Sequence, residues 1–419
     1  MFREALVVTV MALLTAAAGA QGAPAPHPWL QAQVSGQSAF DSNIRQNNQL
    51  PLAGWEQDID ATLAVTQQGS RGGWSLRYQP FLQFFTTMSS LNSVNQTAAL
   101  DAHWEPAPHW RLTGQMTGGD WEELTAEQLT APTLAPAGAP PNAILPRTRA
   151  VSGSGQLQLA YVLSPKASLA AFGGYSERRF PGAATVSASL DGVRGTDNGL
   201  VFAYTTSPRT QWGVRVEEKN FSVGTASHLA AESATLSWTY AWTPVTSTTL
   251  YAGPEYSQVH ATFALVLAGL PLTDRMYRAR TYPRYGASIT HSSVTVPWTV
   301  QVNQEISNGG GALPFPVSLT QAQAQLAPRL PRHWHLRLGA RAAQFSALTT
   351  GLLASHVRMG AADVELGHPL GRQLSLDFDV AYLAQRSQGL MPLTPAVNRG
   401  LYGVRLTWQW PPREMNATP

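Results

Sequence analysis

LSLDFDVAY, residues 374–382, carries the reading that decides the fold. Leu374, Leu376, Phe378, Val380 and Tyr382 alternate with Ser375, Asp377, Asp379 and Ala381. A period of two sets one group on each face of a β-strand. One face is apolar and aromatic; the other carries two carboxylates. The rhythm returns in WSLRYQPFLQF (74–84), WGVRVEEKN (212–220), ATLSWTYAW (234–242), VSLTQAQAQL (317–326), WHLRLGARA (334–342) and YGVRLTWQW (402–410). It starts with WLQAQVSGQ (29–37). Helical spacing is not sustained anywhere beyond residue 20.

Composition says what the apolar face meets. The chain has 419 residues, of which 13% are charged, about half the share usual in soluble domains. Against that stand 13 Trp, 12 Tyr and 13 Phe, which must face something other than water. Lys and Arg total 28 against 25 Asp and Glu, so there is no basic field for nucleic acid. With no Cys there is no disulfide framework, no thiolate metal site and no lipidated N-terminal Cys. MFREALVVTVMALLTAAAGA (1–20) has a short charged start with Arg3, an apolar run and Ala18-Gly19-Ala20, the make-up of a signal peptide cut after Ala20. Beyond it no apolar run approaches the roughly 18 residues of a spanning helix. FALVLAGLPL (263–272) is broken by Gly269 and Pro271.

A second phrase punctuates the strands. YVLSPKASLAAF (161–172), FAYTTSPRTQWGV (202–214), WTYAWTPVTSTTLYA (238–252), HWEPAPHWRL (103–112), RLPRHWHLRL (329–338) and LGHPLGRQLSLDF (366–378) each place a Pro between two apolar runs. Pro presets φ for a turn and cannot continue a ladder. These are tight turns, and between successive ones lie two strands and a longer polar loop. Short turns at one end and long loops at the other predict an all-β fold: a transmembrane, antiparallel, up-and-down β-barrel of the Gram-negative outer membrane.

Tryptophans mark one rim. Trp74, Trp104, Trp110, Trp212, Trp242, Trp298 and Trp334 lie beside the predicted turns, and Trp408 and Trp410 close the last strand at the same level. Such rings favour the membrane–water boundary, here as a periplasmic girdle. The strands are predicted near 29–37, 55–66, 73–86, 94–105, 109–119, 149–163, 167–178, 197–206, 210–221, 230–242, 247–259, 278–291, 296–306, 317–327, 332–345, 353–367, 372–386 and 398–410. That is about 18, with 16 the nearest alternative. The 353–367 segment changes phase near Ala361 and Ala362, which predicts a bulge. The organisation expected is a signal peptide (1–20), a short periplasmic segment (21–28), the barrel (29–410) and a periplasmic tail (411–419), with no plug domain before the barrel and no further domain after it.

The residues opposite the apolar set line the expected pore. Arg77, Asp101, Arg111, Arg215, Glu217, Arg284, Glu305, Arg337, Arg341, Asp377, Asp379 and Arg405 are the candidates. A charge on the lipid face would cost several kcal/mol near mid-membrane. Their mixed signs point to a hydrated wall with weak ion selectivity. The proline-rich loop of 122–147 is long enough to fold into the lumen, and 261–272 is a second candidate cap. Catalytic, cofactor and metal sites are not expected. His103, His109, His333, His335 and His368 lie near the turns, the wrong end for rim hydrolases. His333 and His335 share one strand face, but no carboxylate completes a metal site. No Gly-rich phosphate loop opens a helix.

AFDSNIRQN (39–47) follows the first strand directly. It resembles the aromatic-Asp-Asp/Ser-Asn-Val/Ile signature of a large group of outer-membrane β-barrel porins, some of which accompany genes for polysaccharide production and export. Asp41 and Asn43 suit a turn held by side-chain-to-backbone bonds. The last strand departs from the usual pattern, because Trp410 is followed by nine residues where such barrels commonly end on an aromatic. The resemblance implies outer-membrane lipid and the barrel-assembly machinery as partners. Two roles stay open: passive diffusion of small hydrophilic solutes, which strand count, polar lumen and lack of a plug support, or export or structural support of surface polysaccharide, which the resemblance implies.

Overall fold

The computed structural model describes residues 29–44, 51–122, 149–181, 192–224, 227–267, 270–307, 316–348, 356–388 and 396–411, with the backbone alone for 263–267 and 270–276. Eighteen strands run through them. They are β1 (Leu30–Asp41), β2 (Gly54–Gly69), β3 (Gly72–Phe85), β4 (Ser93–Ala107), β5 (Trp110–Trp121) and β6 (Ala150–Ser164). Next come β7 (Ala167–Arg179), β8 (Val193–Ser207), β9 (Thr210–Val223), β10 (Ser227–Thr243), β11 (Thr246–Leu267) and β12 (Leu270–His291). Last are β13 (Trp298–Ser307), β14 (Val317–Leu326), β15 (His335–Ala347), β16 (His356–Pro369), β17 (Leu374–Gln388) and β18 (Val397–Trp410). Each pairs antiparallel with its neighbours in sequence, and β1 also pairs with β18 over ten residue pairs, so the sheet closes. The expected count of eighteen is the observed one, and closure leaves no edge.

The recurring Pro phrase has a local cause. The hydroxyls of Ser164, Ser207 and Thr243 accept hydrogen bonds from the N–H groups of Lys166 (3.2 Å), Arg209 (3.3 Å) and Val245 (3.3 Å). Each spans a Pro that fixes φ and offers no N–H. The ladder shifts register by one residue just before each turn. At RLPRHWHLRL the turn is a 3-10 segment, Pro331–His333, in which Arg332 (φ 60°) and His333 (φ 66°) are left-handed. His333 is therefore outside β15 and does not share a strand face with His335, contrary to the expectation.

The alternation holds through the wall. Along β17, Ser375, Asp377 and Ala381 are buried while Phe378, Val380 and Tyr382 are exposed. The exposed apolar set continues around the barrel through Val216, Leu236, Val300 and Leu406. A contiguous apolar belt of this extent is foreign to a soluble monomer and is what lipid requires of an outer-membrane barrel. Trp104, Trp110, Trp212, Trp242, Trp408 and Trp410 are exposed on the same outer face at the short-turn end. Trp298 stacks on His291, and Trp334 lies against His368. Trp74 donates through Nε1 to Gln67 (3.1 Å). At the other rim Phe40 and Trp55 meet edge to face.

Two expectations are corrected. β16 pairs without a register break on both sides, so no bulge interrupts Ala361 and Ala362. The phase change is one of chemistry, not of backbone: the inward residues pass from Val357, Met359 and Ala361 to Asp363 and Glu365. The 261–272 segment is not a capping loop either. It extends the β11–β12 ladder as far as Leu267 opposite Leu270. The 122–147 loop lies, apart from Glu122, outside the described residues.

The same change is seen on neighbouring strands. Toward the loop end the inward positions are apolar and buried: Val317 and Leu319 on β14, Phe345 on β15, Val357 and Met359 on β16, Leu383 on β17 and Val397 on β18, in one cluster with Trp121, Ala150 and Phe180. A second such cluster joins Leu229, Ala231, Val259, Ala261, Ile306 and Leu348. Toward the loop end the lumen is thus apolar along these strands, whereas β1 to β4 keep Asp41, Glu56, Asp58, Gln83 and Asn95 buried there.

Candidate functional site

Two charged walls face the lumen. The first is built from β9 to β13. Glu217 and Lys219 stand two apart on β9 and therefore share a face. Lys219 Nζ lies 2.9 Å from Glu305, 3.8 Å from Glu217 and 4.0 Å from Glu255. Arg284 donates through Nη1 to Glu217 (2.7 Å) and Ser233 (2.6 Å), and its Nη2 lies 3.7 Å from Glu305. Arg215 reaches Glu217 at 2.9 Å and sits 4.2 Å over the ring of Phe172. Glu255 accepts from the N–H of Ile306 (2.9 Å), supplying a ladder bond that β12 does not. Three cations meet three carboxylates, so this wall is close to neutral. Gly199 makes room for it, because a Cβ there would collide with Phe172 and the Val216 carbonyl.

The second wall spans β15 to β18 and continues through β1 to β3. Arg337 pairs with Glu365 (2.7 Å), and Arg405 with Asp379 (3.3 Å) and Gln37 (3.1 Å). Gln79 donates to Asp60 (2.8 Å). His335 Nε2 stands 3.2 Å from Asp377 and 3.8 Å from Glu365. These residues border a cavity of about 710 Å³. Its rim holds Glu56, Asp58, Asp60, Asp363, Glu365, Asp377 and Asp379, against Arg77, Arg337, Arg405 and His335. Seven carboxylates against three guanidiniums make this wall acidic.

The sequence candidates divide accordingly. Arg215, Glu217, Arg284 and Glu305 come together on the first wall; Arg77, Arg337, Asp377, Asp379 and Arg405 border the cavity of the second. Arg341 stands beside them, donating to Gln323 (3.4 Å). Asp101 and Arg111 join neither: Arg111 pairs with Glu105 (2.8 Å), both exposed, near the turn. Sequence reasoning missed Glu255, Asp363, Glu365 and the place of Phe172. Alternation from Asp377 and Arg337 would have located Asp363 and Glu365 once the register was known, and Glu255 needs the β10–β11 register opposite Ser233. It also missed the carboxylates beside His335, which arrive from β16 and β17 and not from its own strand.

The AFDSN stretch has a separate place. Asp41 is fully buried at the loop end of β1 and accepts from Arg399 of β18, Oδ2 lying 2.9 Å from Nε and 2.8 Å from Nη2. Its Oδ1 accepts from the N–H of Asn43 (2.8 Å). Asn43 donates through Nδ2 to the Asn398 carbonyl (3.0 Å), and Ser42 exchanges bonds with Gly400 (3.0 and 2.7 Å). The motif ties the first strand to the last, a larger task than holding its own turn.

No family model matches the chain, and no curated relative matches it. Among solved structures it is similar to OccK2 (OpdF) of Pseudomonas aeruginosa, with 11% identity over 91% of this chain and 98% of that one and a TM-score of 0.44. It is also similar to OccAB3 of Acinetobacter baumannii (10% identity, 91% and 99% covered, TM-score 0.42). A third is the ferric-catecholate import receptor Fiu of E. coli K12 (8% identity, 93% and 82% covered, TM-score 0.45).

Proposed function

We propose that this chain is a porin-like channel that admits small hydrophilic solutes by passive diffusion through its lumen. The observation that carries the reading is the cavity of about 710 Å³, open to the lumen and lined by charged and polar side chains, inside a closed eighteen-strand wall. A barrel of this size leaves a lumen, where eight strands would fill with side chains. The acidic surplus on the second wall favours cations over anions, a stronger preference than the mixed signs in sequence suggested. Trp74, Trp104, Trp110, Trp212, Trp242, Trp298, Trp334, Trp408 and Trp410 act as the periplasmic girdle. The role is transport and not catalysis.

The apolar stretch at the loop end favours a second reading. Buried Leu319, Phe345 and Val357 face inward where a diffusion pore would present polar groups. A hydrophobic stretch closes a pore to water and ions by dewetting. The alternative is therefore an export or structural barrel linked to surface polysaccharide, closed at rest, as the AFDSN resemblance suggests. Single-channel recording of the refolded, signal-free protein under a salt gradient separates the two. Steady, cation-preferring openings support the diffusion channel. Silence from folded and inserted protein gives the lead to the closed barrel.

A further inference from the structure

We propose that His335, Asp377 and Glu365 form a binding site for a divalent transition-metal cation of the Zn²⁺ class, on the inner wall near the short-turn end. The site follows from the ladder. His335 on β15 pairs with Gly367 on β16, and Gly367 pairs with Asp377 on β17, so the three form one row across three strands. The middle residue has no side chain. His335 and Asp377 lean toward one another over it, and a Cβ on Gly367 would collide with both. Glu365, two residues along β16 on the same face, closes the third side.

The donor geometry suits an ion. Zinc bonds N and O at about 2.0–2.2 Å, which puts tetrahedral donors roughly 3.3–3.5 Å apart. Nε2 of His335 lies 3.2 Å from Asp377 Oδ1 and 3.8 Å from Glu365 Oε1. The three donor atoms lie within 4.8 Å of one another. Each carboxylate has its other oxygen engaged. Ser375 donates to Asp377 Oδ2 (3.4 Å), and Arg337 holds Glu365 Oε2 (2.7 Å). Outer partners of this kind orient metal ligands. Oδ1 of Asp377, a residue 6% exposed, is buried and faces the imidazole Nε2 at 3.2 Å, off the line of a well-formed hydrogen bond. A metal cation held between imidazole and carboxylate would replace that imperfect contact with two ligand bonds. One imidazole with two carboxylates suits zinc and its neighbours better than calcium, whose ligands are all oxygen. Partly exposed His335 leaves the site open to the lumen, and the acidic rim concentrates cations beside it. The site stands independently of whether solutes pass.

The test uses the full chain refolded in detergent, titrated with ZnCl₂ by calorimetry and with CoCl₂ by visible absorption. One equivalent should bind, with cobalt showing the bands of a low-symmetry N/O site. H335Q and D377N, each confirmed as folded by heat-modifiable gel mobility, should weaken binding by at least roughly 100-fold. R337Q removes an outer partner of Glu365 and should weaken binding by roughly 10-fold, less than loss of His335 does. No saturable binding, binding that survives H335Q undiminished, or an R337Q loss as large as that of H335Q overturns the proposal. Should H335Q not fold, Zn²⁺ protection of wild-type His335 from diethylpyrocarbonate, read by mass spectrometry, decides the matter: protection supports the site and unimpeded modification refutes it.

Discussion

Replacing Arg399 with Leu tests the seam between the first and last strands. Arg399 is 2% exposed and donates to Asp41, itself 0% exposed, through two atoms at 2.9 and 2.8 Å. Its Nη2 also lies 3.6 Å from Glu56. Taking the guanidinium away leaves the Asp41 carboxylate buried with the N–H of Asn43 as its hydrogen-bond donor. Removing one partner of a buried ion pair costs roughly 3–5 kcal/mol, most of it the penalty on the charge left behind. R399K keeps the charge but not the two-donor fork, and one lost charged hydrogen bond is worth roughly 1.5–3 kcal/mol. D41N/R399L should recover part of the single-variant loss, with a coupling of roughly 1–3 kcal/mol. Urea unfolding of the barrel refolded into lipid vesicles measures all three. A loss below about 1 kcal/mol for R399L, or strict additivity in the double variant, would refute a buried pair that holds the seam.

Three further outcomes follow from the lumen and the turns. D379K places a cation in the acidic wall beside Arg405, so the reversal potential in a salt gradient should move toward anion preference; an unchanged potential would remove that wall from the conduction path. F345A should cost about 3–5 kcal/mol in vesicle unfolding and raise the frequency of channel opening, because it empties part of the apolar stretch. Stability loss with no change in opening would mean that the apolar stretch does not gate. S207A removes a turn bond repeated at two other turns, and should cost no more than about 1 kcal/mol and leave conductance unaltered. A larger loss would mean that the turn serines do more than shape the chain reversal.

What was legible in the sequence was whatever depends on period and punctuation. Strand 374–388 shows its two faces at a glance, and Ser-Pro and Thr-Pro place three turns to the residue. The long β11–β12 hairpin was not legible, because FALVLAGLPL has neither alternation nor a polar face and contains Gly and Pro. The apolar stretch of the lumen was hidden by the rule that inward means polar. Val357 and Met359 obey the alternation but break the chemistry, and so imitated a bulge. The His335 cluster needed the register. Gly367 and Asp377 are distant in sequence from His335, and only the pairing puts all three in one row.

Register also explains why AFDSN matters more than a turn would require. A one-residue slip at the β1–β18 seam would turn Arg405 to lipid and Trp408 to the lumen. Lipid exposure of a single Arg at mid-membrane costs about 2–4 kcal/mol, so that slip is excluded by the pattern alone. A two-residue slip is the serious competitor, since it keeps every side chain on its own face. The β-ladder itself discriminates weakly against it. The buried pair does discriminate: Asp41 meets Arg399 only with Asp41 opposite Leu401, as observed. The bonds of Ser42 with Gly400 and of Asn43 with Asn398 extend the same register past the strand end. Slipping by two would bury both charges apart, at a cost like that of R399L. The motif therefore selects the closing register among those that amphipathicity permits.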